Sequence, residues 1–378
     1  MKIDDKTNIP FGELALIVLE SCKDFGAKVN NHLAERRKSK EIYHCHDNSY
    51  IIKVNDVRFS NGEGKVVLKE SVRGKDIYIM ADVGNYGCTY NMFGMTAHMS
   101  PDEHFQSILR TISAIAGNAR RINVVMPLLY SSRQHKRKGR ESLDCAVALQ
   151  QLTHMGVDNI FTVDAHDPRV ENAIPLNGFE NIYPTYDMIK AIFTSDRSIS
   201  VEKDNLLIIS PDTGAMDRAL YYADALGVDV GLFYKRRDFS KIVKGKNPIV
   251  EHVYMGSNLD GKDVLVVDDM IGSGESILDI AYELKNRNAA NIYVAVTFAF
   301  FTEGHEAVDK AYKEGIINRI YTTNLTYIPQ IYKEKEWLYE VDMSNTIATV
   351  IDNMNFDMSL TPLFDTHIRL KNLELFHK

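Results

Sequence analysis

From about residue 121 onward, short apolar runs alternate along the chain with stretches of helical period. "INVVMPLLY" (122–130) precedes "SLDCAVALQQLTHMG" (142–156), where Leu143, Val147, Gln150 and Leu152 outline a helix that Gly156 stops. "DNIFTVDAH" (158–166) reads as a strand. "NLLIISPDTG" leads into "AMDRALYYADALG", with Met216, Leu220 and Ala223 on one face and Gly227 as the stop. "VDVGLFYKRR" is another strand. "KDVLVVDD" leads into "SILDIAYELKNR", where Ile277, Ile280, Ala281 and Leu284 keep the i, i+3, i+4, i+7 spacing. Continuous apolar strands between helices predict an α/β protein with mainly parallel sheets covered on both faces. A boundary falls at "YPTYDMI", near 184–188, where one such series gives way to the next. The first 50 residues and the last 40 follow neither series.

Bulk properties narrow the class. A chain of 378 residues predicts two or three domains at roughly 150 residues each, and an apolar fraction of 45% supports real cores. The formal net charge of -7 argues against a general binder of nucleic acid or membrane surfaces, which carries a basic excess. "IYVAVTFAFF", the longest apolar run, is far short of the roughly 18 residues of a membrane span and reads as a buried strand. "MKIDDKTNIP" has acids where a secretion signal needs a basic start and an apolar core. Cys22, Cys45, Cys88 and Cys145 form no CxxC pair, as expected of reduced thiols in a cytoplasmic protein.

Candidate chemistry collects at strand ends, where open α/β sheets bind ligands. "IFTV" ends in Asp164-Ala165-His166-Asp167, "LLIIS" in Pro211-Asp212-Thr213-Gly214, and "VLVV" in Asp268-Asp269 followed by Gly272-Ser273-Gly274. In the last of these, Gly272 and Gly274 allow backbone N–H groups to turn inward beside a helix N-terminus, making an anion cradle, and Ser273 and Ser276 add hydroxyl donors. Asp268 and Asp269 do not suit a phosphate, because like charges repel. They suit ribose hydroxyls or a hydrated divalent cation. Cradle and acids together fit a phosphorylated sugar. A serine-capped βα turn with solvated acids has the same composition, but two adjacent acids after an apolar strand are costly to place without a use. Neither GxxxxGK[ST] nor GxGxxG occurs.

With these motifs in hand, residues 55–330 resemble the ribose-phosphate pyrophosphokinase family. "DDMIGSGES" is similar to that family's ribose-phosphate loop, which type I phosphoribosyltransferases share. "VRFSNGEGKV", "ESVRGKDIYI", "SSRQHKRKGRES", "VDAHD", "SPDTGAMDRA" and "YKRRD", in that order and spacing, resemble the synthetases, and phosphoribosyltransferases lack most of them. The resemblance implies two tandem type I phosphoribosyltransferase-like domains. The N-terminal one would take residues 1–185, completed by the C-terminal tail. The C-terminal one would take 186–340 and carry the ribose-phosphate loop, with 341–378 as the tail. It implies that His166 and Asp212 meet the Mg2+ of bound ATP. Phe59, Asn61, Glu63, Arg133, Gln134 and His135 would hold ATP, with part of the adenine pocket supplied by a neighbouring subunit of a homo-oligomer. Lys235 and Arg237 would meet the phosphates during transfer, on or before a mobile loop. Asp268, Asp269, Gly272, Ser273, Gly274 and Ser276 would bind ribose 5-phosphate.

This chain departs from the family pattern at several points. Asn61 and His135 replace acids, Gly272 stands where an acid is usual, Glu275 replaces a glycine, and Asp238 follows the Lys-Arg-Arg run in place of proline. Three readings follow: a diphosphokinase making phosphoribosyl pyrophosphate from ATP and ribose 5-phosphate, a phosphoribosyltransferase consuming that product, and a catalytically silent regulatory homologue. In isolation "RQHKRKGR" reads better as a solvated basic loop, and "YKRRD" reads equally as one.

Overall fold

The structure, a computed structural model, describes residues 9–39, 49–196, 199, 204–237 and 249–371. It divides into two compact units. The first comprises Met1–Tyr183, Asn324–Tyr327 and Asp342–Asp365; the second comprises Pro184–Thr323, Ile328–Val341 and Thr366–Lys378.

In the first unit, β1 (Glu13–Val18) leads into α1 (Lys23–Ser39), the hairpin β2 (Val54–Arg58) and β3 (Gly64–Leu68), and strand β4 (Lys75–Met80). A second hairpin follows, β5 (Thr89–Met92) and β6 (Met95–His98), then α2 (Pro101–Ile115), β7 (Arg121–Val125), α3 (Asp144–His154), β8 (Asn159–Val163) and β9 (Gly178–Ile182). Five strands form a parallel sheet in the order β1-β4-β7-β8-β9. Residues of both parities are buried along β4, β7 and β8, which is why these strands read as continuous apolar runs. Helix α2 starts on a capping box: Ser100 Oγ accepts from the Glu103 N–H, the Glu103 carboxylate accepts from the Ser100 N–H, and Pro101 follows. The β5–β6 turn places Phe93 and Gly94 at φ 49° and 78°, and the Phe93 N–H donates to the Ser60 carbonyl at 2.9 Å, joining the two hairpin tips.

The second unit runs through α4 (Thr185–Ser195), β10 (Leu206–Ser210), α5 (Met216–Leu226), β11 (Asp229–Arg237), β12 (Ile249–Met255), β13 (Asp263–Ile271) and α6 (Glu275–Asn286). It continues through β14 (Ile292–Ala299), α7 (Glu306–Lys313), β15 (Arg319–Thr323), α8 (Gln330–Lys333) and β16 (Leu338–Val341). Its seven strands take the order β12-β11-β10-β13-β14-β15-β16, and only β12 is antiparallel to its neighbour. The chain leaves β10 for β11 on one side and returns to β13 on the other. The switch point therefore lies at the carboxyl ends of β10 and β13. Helix α9 (Ser344–Asn355) and the short α10 (Thr361–Phe364) belong to the first unit, and α11 (Thr366–Lys371) to the second.

Two helix faces differ from the spacing read in the sequence. Helix α3 buries Cys145, Ala148, Leu149 and Leu152 and leaves Val147 60% exposed. Helix α5 buries Ala219, Tyr222, Ala223 and Leu226 and leaves Leu220 exposed. Leu152 and Ala223 are buried as the spacing predicts, but small residues beside them, Cys145 and Ala148 in α3 and Ala219 in α5, face the core where Val147 and Leu220 do not. Helix α6 buries Ile277, Ile280, Ala281 and Leu284 as the sequence predicts. Cys22, Cys88 and Cys145 are free thiols, and burial pushes the Cys145 thiol up to about 12. Cys45 lies outside the described residues.

Past the end of β4, Asp82 is buried and ties the segment Asn324–Tyr327 to the first unit. Its carboxylate accepts from the Gly84 and Tyr327 N–H groups, each at 2.9 Å, and from Thr326 Oγ1 at 3.2 Å. Burial pushes this carboxyl from 3.8 to about 7, against the pull of those three donors. The thiols of Cys22 and Cys88 are its other titratable neighbours. Between the two values the folded chain keeps a proton that the unfolded chain has lost. Its stabilising contribution is complete below about pH 4 and is lost as pH rises through about 7. The expected loss is on the order of 4 kcal/mol, or roughly 8–16 °C of melting temperature for a unit of this size. Asp82→Asn should flatten this fall between about pH 4 and pH 7; parallel calorimetric curves for the two proteins would show that Asp82 is not its source.

Candidate active site

In the first unit, the loops after the adjacent strands β7 and β8 meet. Ser131 takes a left-handed φ of 54° and accepts from the Gln134 N–H, closing a turn that places Arg133, Gln134 and His135. Arg133 is exposed, and the Gln134 side-chain amide donates to the Ser142 carbonyl at 2.9 Å. The His135 side chain, 10% exposed, contacts the Ser132 carbonyl through Nδ1 at 3.2 Å and lies 3.4 Å from Asp167 Oδ2 through Nε2. Its ring centroid is 5.3 Å from that of His166. Burial holds the His135 imidazole below its ordinary range. An acid at 135 would face the Asp167 carboxylate; an imidazole avoids that repulsion.

Asp167 is the hinge of the second loop. It accepts from the Arg169 N–H at 3.1 Å and from Nε and Nη2 of Arg169 at 2.8 and 2.5 Å. These bonds to Arg169 hold its carboxyl down at about 2. Asp164 is buried, with φ 49°, and His166 is exposed between its two fixed acidic neighbours. Arg169 was not singled out in the sequence, although Asp-Pro-Arg is an N-cap signature that would have found it.

Phe59, Asn61 and Glu63 form the tip joining β2 to β3, with Phe59 48% exposed. Asn61 turns both ends of its amide onto Glu63: Nδ2 donates to Glu63 Oε2 at 3.0 Å, and Oδ1 accepts the Glu63 N–H at 3.1 Å. The amide thus fixes the conformer of a neighbouring carboxylate, a task to which an aspartate would bring repulsion.

In the second unit, the loops after the adjacent strands β10 and β13 carry the remaining candidates. Asp212 Oδ1 accepts the N–H groups of Gly214 and Ala215 at 2.8 and 3.3 Å and so sets the start of α5. The acid pair does not end its strand as the sequence reading had it. Asp268 and Asp269 lie inside β13, which continues to Ile271 because Asp268, Met270 and Ile271 pair with Val296, Phe298 and Ala299 of β14. Asp269 is 4% exposed and its N–H donates to Asp268 Oδ1 at 2.9 Å. Burial and the adjacent Asp269 raise the Asp268 carboxyl well above the usual carboxylate range, and Arg218 opposes that rise from 3.9 Å.

The Ile271 and Gly272 carbonyls accept from the N–H groups of Phe300 and Thr302 at 2.9 and 3.0 Å. In a trans peptide the N–H points opposite to the carbonyl, so the Gly272 and Ser273 N–H groups point away from that side of the loop. Gly274 takes φ 93°, which glycine alone adopts freely, and stands at the N-terminus of α6. Ser276 and Glu275 are exposed in the first turn.

Lys235 and Arg237 lie in β11, where they pair in register with His252 and Ile249 of β12 across a bulge at Arg236 and Arg237. Asp238 and the loop expected after it lie outside the described residues. Among the described residues, no group of three or more His, Cys, Asp or Glu is arranged to hold a metal ion.

Residues 14–156 match the N-terminal domain of ribose phosphate pyrophosphokinase, and residues 185–325 match the phosphoribosyl transferase domain. The two units are therefore phosphoribosyltransferase-type domains in tandem. A ribose-phosphate pyrophosphokinase of Chromobacterium violaceum is 26% identical over 314 residues, covering 82% of this chain and 86% of that one. One from Mycoplasmopsis pulmonis is 24% identical over 321 residues, covering 84% and 90%. The crystal structure of phosphoribosylpyrophosphate synthetase from Mycobacterium smegmatis shares the fold, with a TM-score of 0.72 at 20% identity over 90% of this chain and 98% of that one. The chain belongs to the ribose-phosphate pyrophosphokinase family.

Proposed function

We propose that this protein is a ribose-phosphate diphosphokinase. The anomeric hydroxyl oxygen of ribose 5-phosphate attacks the β-phosphorus of ATP, the bond from that phosphorus to the α-phosphate oxygen breaks, and AMP leaves as phosphoribosyl pyrophosphate forms. The observation that carries this reading is the β13 loop, which sets an anion cradle beside two carboxylates: the cradle suits the 5-phosphate and the acids suit ribose hydroxyls. Such a transfer asks little covalent work of a protein and depends on positioning and charge neutralisation.

The roles divide among the named residues. Gly272, Ser273, Gly274 and Ser276 would bind the phosphate, and Asp268 and Asp269 the sugar. Phe59 would stack on the base, Glu63 would accept from a base N–H in the conformer that Asn61 fixes, and Arg133 would meet the phosphates. Gln134 and His135 would hold the loop that presents Arg133. His166 and Asp212 would meet the Mg2+ carried in by ATP, a hard ion that takes one or two protein ligands when phosphates supply others. When bound, that ion would neutralise phosphate charge. Lys235 and Arg237 would neutralise the moving diphosphoryl group. We place the reaction in the cytoplasm and in a homo-oligomer whose nucleotide site draws on a second copy. No helix among the described residues is long and apolar enough to cross a membrane.

Phosphorus NMR of the protein with ATP, Mg2+ and ribose 5-phosphate tests the reading. AMP appearing with a sugar-linked diphosphate is the expected result. Unchanged ATP, with other nucleoside triphosphates and added phosphate also tried, would leave the silent regulatory homologue as the better account. Asp269→Asn removes a charged acceptor and should raise the Michaelis constant for ribose 5-phosphate by about 10- to 100-fold. An unaltered constant would remove Asp269 from the sugar site.

A further inference from the structure

Two carboxylates on consecutive residues, one of them 4% exposed, need a nearby cation, and the described loop 268–276 contains no Lys or Arg. The cation comes from the neighbouring strand's helix. Arg218 lies in the first turn of α5 (Met216–Leu226), and its Nη1 is 3.9 Å from Asp268 Oδ1. Both side chains are largely covered, at 15% and 23% exposure, so the pair is less screened than a surface ion pair. The same Oδ1 accepts the Asp269 N–H. One oxygen of Asp268 thus accepts its neighbour's backbone N–H and has a guanidinium nitrogen at ion-pair distance.

The helix carrying Arg218 is itself placed by the β10 loop. Asp212 Oδ1 accepts from Gly214 and Ala215, and the Ala215 carbonyl accepts the Ala219 N–H at 3.0 Å. Asp212, Arg218 and Asp268 therefore form a continuous path across the switch point of the second unit, from the loop of one strand to the acids of the next.

We propose that Arg218 is a positioning residue for ribose 5-phosphate: it touches no part of the sugar, but its guanidinium neutralises one of two adjacent carboxylates and fixes where that carboxylate points. Resting on the diphosphokinase reading, this adds a residue on α5 to a site otherwise built by the β13 loop. A group that sets the acids before the substrate arrives acts on sugar binding and leaves the transfer step largely alone. A lysine at 218 keeps the charge but loses the planar fork, so it should recover most of the function.

The test measures ribose 5-phosphate affinity of the full chain by calorimetry without ATP, alongside steady-state rates, for the wild type, Arg218→Gln, Arg218→Lys, Asp268→Asn and the Arg218→Gln/Asp268→Asn pair. Arg218→Gln is expected to weaken sugar binding and raise its Michaelis constant by about 10-fold or more, with turnover within about threefold. Arg218→Lys should return to within about threefold of wild type. In the Asp268→Asn background, adding Arg218→Gln should cost nothing further, because the carboxylate it serves is gone. This comparison also stands if Arg218→Gln alone folds poorly, since the double variant removes both charges. Wild-type affinity in Arg218→Gln, equal losses in binding and turnover, or additive losses in the double variant would each overturn the proposal. Those results leave the diphosphokinase reading in place if the wild type binds the sugar and forms its diphosphate; a wild type that does neither overturns both.

Discussion

Replacing Asp76 with Ala is expected to destabilise the first unit by about 3–5 kcal/mol, the scale for breaking a buried charged pair by removing one partner. Asp76 stands near the start of β4 with no exposure. Its carboxylate accepts from Arg121 Nε and Nη2 at 2.8 and 2.7 Å, from Asn123 at 2.9 Å and from Asn355 at 2.8 Å. Arg121 also reaches Asp357 and the Met354 carbonyl, and Asn355 accepts from Arg37, which pairs with buried Asp352 at 2.8 Å. One carboxylate thus joins two sheet strands to α9, whose residues lie 279 positions later at the Asn355 contact. Its loss takes the charged acceptor from a buried guanidinium, two amides and the Tyr78 hydroxyl, leaves Asn123 and Asn355 with one backbone carbonyl each, and opens a space that water cannot fill without disturbing the α9 packing. Chemical denaturation should show a lower midpoint with an unchanged slope. The network lies at the amino ends of the strands, opposite the candidate site, so the folded variant should keep wild-type Michaelis constants. A loss below about 1 kcal/mol would mean that the network is solvated in solution.

How legible all this was in the sequence depends on how local each cause is. The β13 loop was legible because one short stretch carries its determinants: an apolar run, two acids, and a glycine that φ 93° requires at 274. The α6 face was legible because three of its four buried positions are Ile or Leu, at Ile277, Ile280 and Leu284, with Ala281 between them. The α3 and α5 faces were legible at Leu152 and Ala223 but not at Cys145, Ala148 and Ala219, which are buried while Val147 and Leu220 are exposed. Hydropathy alone does not show that a parallel sheet selects small residues for close approach. Strand β12 and the β5–β6 hairpin were not picked out; in the hairpin, Phe93 at positive φ breaks the usual turn chemistry and is held by the Ser60 carbonyl of the other hairpin. Arg218 was visible only as a letter in "SPDTGAMDRA". Its meaning depends on β10 and β13 being neighbours, a fact of sheet order that no local pattern encodes. The departures at Asn61 and His135 were visible, but their partners Glu63 and Asp167 were needed to explain them.

Lys235→Ala should lower turnover by about 10²–10³-fold while changing the affinity for ribose 5-phosphate by less than about threefold. That is the scale of one preorganised charged donor aimed at developing charge. Lys235 is in β11, on the opposite side of β10 from β13, and pairs with His252 on β12. The sugar's own contacts are assigned to the β13 loop, so removing an ammonium from β11 should not disturb the bound ground state. As the diphosphoryl group leaves AMP, negative charge spreads over oxygens that a fixed cation can meet, and an interaction that strengthens only there appears in turnover and not in binding. Arg237 shares the strand but lies beyond the bulge at Arg236, so the two positions are offset in register and are not interchangeable supports for one another. Single-turnover rates with saturating ATP and ribose 5-phosphate separate the chemical step from product release, and calorimetry without ATP reports sugar binding alone. Equal losses in the two measurements would move Lys235 from the transfer step to substrate binding. A fall in turnover that Lys235→Arg restores would identify positive charge, rather than the shape of the side chain, as what the transferring group requires.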